Sequence, residues 1–84
     1  MVWVDMAIDY YTEARLIADA IGNQGHTFMA TALRDSVEYG STATEILMAV
    51  RYQLTELVAS GVIADPLTIA RSQRLIAALD EELR

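Results

Sequence analysis

The sequence predicts an all-α domain, a compact bundle of four helices over about residues 5–21, 26–39, 42–60 and 66–83, and three observations carry that prediction. Apolar residues recur at the three- and four-residue intervals that place side chains on one face of a helix. Glycine and proline fall between these stretches, where helices stop or start, and not inside them. Two intervening segments, Thr42-Ala43-Thr44-Glu45 and Asp65-Pro66, carry the residue types that open helices.

The first helix is expected to take Asp5 as its N-cap and to stop at Gly22-Asn23, residue types that tolerate the left-handed conformation of a helix end. Met6, Tyr10, Ala14, Ile17 and Ile21 form its inward stripe, with Trp3 in line if the helix begins early. In the second helix Met29, Ala32, Leu33, Ser36 and Val37 share the inner face, and Phe28 and Tyr39 stand along one margin. Arg34 and Glu38 point outward, and Gly40 ends the helix. Thr42 and Glu45 fit a capping box at the start of the third helix, in which each side chain satisfies a free backbone N–H of the first turn, with Ser41 as the other candidate cap. Ala43, Leu47, Val50, Leu54 and Leu57, flanked by Ile46 and Val58, then repeat at near-heptad spacing as far as Gly61. This spacing marks the central helix. Asp65 caps the fourth helix, with Pro66 at the first position, where a missing N–H costs nothing. Its inner stripe is Ile69, Ser72, Leu75, Ile76, Leu79 and Leu83, while Val62 and Ile63 are expected to tuck under the bundle end. The short connections favour antiparallel packing of successive helices, and strand content should be near zero.

A chain of 84 residues makes one domain, here residues 1–84, whose core must hold by packing alone because it contains no cysteine. One histidine and no cysteine exclude the usual zinc sets, and no cofactor motif is present. The N-terminal residues lack the basic cluster and long apolar run of a secretory signal, and no run approaches a membrane span, so the expected location is cytoplasmic. Twelve acidic residues against six arginines give a net charge of −6, which repels nucleic acid and anionic membranes and favours a basic protein surface.

Two surfaces are candidates for such contact. Asp5, Asp9 and Glu13 follow one another at four-residue steps, with Asp19 on the flank and Leu16 set among them. They form an acidic ridge that either dresses the positive end of the helix dipole or rims an interface anchored by Leu16. On the third helix Tyr52 projects away from the apolar stripe, with Met48 one turn earlier and Glu45 and Glu56 beside it. Tyrosine and methionine are enriched at interfaces, although a neighbouring helix could equally cover that side. Arg71 and Arg74 lack acids one turn further on and are expected to be solvated. His26, the single histidine and so the first residue to try as a general base, stands at a helix start with no nucleophile or orienting acid assignable from spacing, so no catalytic residue is expected. A helix-turn-helix reading of Gly40-Ser41-Thr42 fails on charge.

The segment Gly40-Ser41-Thr42-Ala43-Thr44-Glu45-Ile46-Leu47-Met48-Ala49-Val50-Arg51, preceded by Ala32-Leu33-Arg34-Asp35, resembles a motif of short helical bacterial proteins. Chains of this size and acidity are similar to immunity proteins, which bind a cognate toxin domain encoded beside them and block its active site. The resemblance implies a toxin or effector domain with a basic surface as partner, and it carries over no binding residues. The alternative is a self-assembling structural or regulatory bundle, a homodimer in which Met48 and Tyr52 bury against a second copy.

Overall fold

The computed structural model describes residues 9–84, in which the regular structure is four helices: α1 Tyr10–Asn23, α2 Thr27–Glu38, α3 Ala43–Ser60 and α4 Pro66–Glu82. No strand occurs among the described residues. Trp3, Asp5 and Met6, which the periodicity assigns to the first helix, lie outside them.

The same capping device opens α1 and α4. Asp9 is in extended backbone, and its carboxylate accepts from Thr12 N at 3.1 Å and from Thr12 Oγ1 at 2.7 Å. Asp65 accepts in the same way from Thr68 N at 3.2 Å and Thr68 Oγ1 at 2.6 Å. Asp9 thus caps the described α1, with the Thr12 hydroxyl as a second donor, and the expected cap Asp5 lies outside the described residues. Thr42 caps α3 by accepting from Glu45 N at 3.2 Å, but the Glu45 carboxylate does not return the bond, so half of the expected capping box forms.

These caps set a pH dependence. The Thr12 and Thr68 hydroxyls hold the Asp9 and Asp65 carboxyls below the ordinary carboxylate range. A carboxyl whose pKa is lowered by folding contributes stability that is complete above its unfolded pKa and is lost as pH falls through the folded one. Tm should thus hold from neutral pH down to about pH 4 and then fall. Asp65→Asn keeps a capping oxygen but cannot titrate, so its Tm should decline less steeply in that acid range; parallel Tm profiles would remove Asp65 as a contributor.

The α1–α2 turn departs from the predicted stop. Gly22 lies inside α1, and the left-handed residue is Gly25, at φ 95°. His26 N donates to Ile21 O at 2.9 Å and Gly25 N to Gly22 O at 3.0 Å, the paired bonds of a Schellman ending. A Cβ added at Gly22 would lie 3.4 Å from the Ala30 side chain, so α1 and α2 approach closely there. Gly61 ends α3 at φ 72°, as the sequence predicts.

The core gathers Ala14, Ile17, Ala18 and Ile21 of α1, Ala30, Leu33 and Val37 of α2, Leu47, Val50, Leu54 and Leu57 of α3, Ile63, and Leu75 and Leu79 of α4. The third and fourth stripes match expectation, except that Ala43 is exposed and Thr68 is buried. Of the two loop residues, Ile63 tucks in and Val62 does not. In α2 the inner face is turned toward α1: Ala30 is buried, whereas Met29, Ala32 and Ser36 are half-buried.

Polar pairs between helices show how they run. Arg15 with Glu38 at 3.3 Å, and Arg34 with Asp19, set α1 and α2 antiparallel. Tyr10 donates to Glu82 at 3.2 Å and Gln24 to Thr68 at 3.2 Å, which sets α4 antiparallel to α1. Arg51 and Asp80, 3.2 Å apart, join α3 to α4. The result is a ring in which each helix packs on its chain neighbours and α1 also packs on α4.

Ser72 of α4 is buried in this core, and its hydroxyl has no hydrogen-bond partner among the described residues. A desolvated, unpaired hydroxyl opposes folding. Ser72→Ala should stabilise the protein by about 1 kcal/mol, seen as a rise in Tm of roughly 4–8 °C. A lower Tm would mean that the hydroxyl is bonded in solution.

Candidate functional site

The ion pairs divide the predicted acidic residues into two groups. Arg71 donates to Glu13 in a bidentate pair along one guanidinium edge, Nε to Oε2 and Nη2 to Oε1, each at 3.0 Å, with side chains only 29% and 28% exposed. Neither is the free surface charge expected from spacing within one helix, because each finds its partner on another. Asp19 pairs with Arg34, and Asp9 is occupied as a cap. Leu16 is exposed as predicted, but the carboxylates around it are committed to the fold, and Asp5 lies outside the described residues.

The α3 surface is different. Tyr52 is 60% exposed and Met48 51%, so none of the described helices covers them. Glu45 and Glu56 are exposed beside them, with no ion pair and no side-chain hydrogen bond among the described residues. Asp35 of α2 is the one other described carboxylate in that condition. Every other described acid caps a helix, pairs with an arginine or, as Glu82 does, accepts a hydrogen bond from Tyr10.

Asp35 lies on a stripe of α2 that the apolar periodicity does not mark as a surface. Phe28, Ala32, Asp35 and Tyr39 follow at helical spacing, and Phe28 and Tyr39 are 86% and 80% exposed. The sequence puts Phe28 and Tyr39 at the margin of the inner face, because it builds that face from Met29, Ala32, Leu33, Ser36 and Val37. The turn of α2 toward α1, made possible where Gly22 meets Ala30, swings them outward. The signal for this turn is the small Ala30, which fits a close helix–helix approach.

At the Phe28 end of these two stripes lies an open groove of about 350 Å³. Ile21, Leu33 and Leu57 floor it, Phe28, Met29 and Ala32 form the α2 wall, and Tyr52, Gln53 and Glu56 form the α3 wall. Phe28 stands across from the residues near the end of α3, which sets α2 and α3 antiparallel as well. The other three seams of the ring are crossed by ion pairs, whereas no polar side-chain pair crosses this one among the described residues.

His26 is half-buried at the N-cap of α2 and makes no side-chain cap bond. Among the described residues no group of three His, Asp or Glu side chains could hold a metal ion, and no helix is long and apolar enough to cross a membrane. Comparison with protein-family models, with curated proteins and with solved structures finds no match to this chain.

Proposed function

We propose that this chain is a non-enzymatic protein-binding domain of the immunity type, which uses its α2/α3 face to occupy and block the cationic active-site cleft of a cognate toxin or effector domain. The observation that carries this reading is the coincidence of the described free carboxylates, Asp35, Glu45 and Glu56, with the exposed Phe28, Tyr39, Met48 and Tyr52 on one face. Aromatic and methionine side chains supply the desolvated centre of an interface, and a carboxylate rim steers a basic partner into register. The same carboxylates oppose a symmetric dimer through this face, since the described side chains of α2 and α3 offer no unpaired arginine to meet them.

The test is co-expression with the product of the adjacent reading frame. A one-to-one complex in which the neighbour's activity is lost is expected. Glu45→Lys/Glu56→Lys should slow association by about tenfold at low salt, with the difference shrinking as salt rises. Absence of a complex, or a complex indifferent to these reversals, overturns the proposal. Reversal of Asp9 and Glu13 is a poorer probe, because one is a cap and the other holds Arg71.

A further inference from the structure

We infer that the element seated on this face is a basic amphipathic helix lying along the α2/α3 groove. The inference rests on the protein-binding reading above and names the form of the partner. Its first ground is shape. The stripe from Phe28 to Tyr39 and the stripe from Glu45 to Glu56 each cover eleven residue steps, about 16 Å, or roughly three helical turns. At their Phe28 end a trough lies between these ridges, walled by Phe28, Met29 and Ala32 on one side and by Tyr52, Gln53 and Glu56 on the other, a surface into which a third helix packs its own ridge. Exposed strand edges, which capture extended peptides through main-chain bonds, are absent among the described residues, so the groove must be read by side chains.

Charge is the second ground. Glu56 closes the groove at the Phe28 end, Glu45 stands on the same stripe three turns away, and Asp35 lies on the opposite stripe. The six arginines do not offset these groups: five are in ion pairs and the sixth, Arg74, is on α4. The fitting occupant therefore carries an apolar stripe at i, i+3, i+4 and i+7 for the trough and arginine or lysine on both flanks. Phe28 and Tyr52, facing each other across the trough, clamp that stripe from its two sides.

The experiment uses the whole chain and a fluorescein-labelled peptide on the order of 15 residues long, with leucine at those positions and arginine on the flanks. A second peptide of the same composition has proline moved to its centre. Anisotropy should report saturable binding of the first peptide, weakened about tenfold or more for the proline peptide, for which the helix is broken. Tyr52→Ala should weaken binding about tenfold and Glu56→Lys about fivefold, while Glu81→Lys at the far end of α4 leaves it unchanged. Circular dichroism of each variant should match the parent, since all three side chains are exposed.

Equal binding of the two peptides overturns the helical occupant, and an equal effect of Glu56→Lys and Glu81→Lys overturns the groove as its seat. A dimer in light scattering that Tyr52→Ala dissociates would assign the face to a second copy of the chain and overturn the proposal. Failure of the peptide alongside a neighbour-encoded complex sensitive to Glu45→Lys/Glu56→Lys removes the helix and leaves the protein-binding reading intact. Failure of both removes the two together.

Discussion

Leu54→Ala should cost about 2–5 kcal/mol, the range for truncating a fully buried leucine in a core that cannot close over the cavity. Leu54 is completely buried near the middle of α3, the helix that packs on both α2 and α4. A domain of this length holds on the order of 4–12 kcal/mol in total, so the variant should lose a large fraction of its stability and melt well below the parent. Leu54→Met, which nearly conserves volume, should cost less than about 1.5 kcal/mol. Tyr52→Ala, two residues away on the outward stripe, should change stability by no more than about 0.5 kcal/mol. Urea denaturation of the three variants measures the contrast. Comparable losses in Leu54→Ala and Tyr52→Ala would mean that the phase of α3 is wrong, and the exposed face would be wrong with it.

That contrast also marks what a sequence can disclose about such a domain. The apolar period of α3 is long, and its two faces differ sharply in composition, so Leu47, Val50, Leu54 and Leu57 are legible as core, and Met48 and Tyr52 as the opposite side. Whether another helix covers Tyr52 is not legible, because that depends on which seams of the ring close. The phase of α2 is less readable. Its inward side is built from Ala30, Leu33 and Val37, and an alanine adds little to an apolar pattern even where, as at Gly22, it meets the neighbouring helix closely. An error of that kind hides Phe28 and Tyr39 as surface residues.

Charges are harder still. Spacing along one helix leaves Glu13 and Arg71 apparently free, yet they lie fifty-eight positions apart in sequence and 3.0 Å apart in space. The acidic ridge of α1 does lie on the outward side, but its carboxylates largely hold the bundle together. Which carboxylates remain unengaged emerges only by subtracting the pairs that the fold makes, and among the described residues they are Asp35 of α2 and Glu45 and Glu56 of α3.

Gly40→Ala should cost roughly 1–3 kcal/mol, the range for forcing extra volume into a packed site. The sequence assigns Gly40 to the end of the second helix, but α2 ends at Glu38 with Tyr39 as its C-cap, and Gly40 has no positive φ that would call for glycine. Its requirement comes from the next helix. A Cβ at Gly40 would lie 2.2 Å from Ile46 Cγ1 and 3.3 Å from Ile46 Cα. Rotation of the Ile46 side chain could relieve the first clash, but it would disturb a residue packed against the core. Relief of the second requires movement of the first turn of α3, which is held by the Thr42 cap and by the bond from Ile46 N to Thr42 O at 2.9 Å. A double-mutant cycle isolates the cause. In an Ile46→Ala background the Gly40→Ala cost should fall by at least about 1 kcal/mol, because the crowded side-chain atom is gone, and what remains should reflect only crowding against the α3 backbone and the change in backbone freedom. An unchanged cost would show that Gly40 serves the chain conformation between α2 and α3 and not the packing of Ile46.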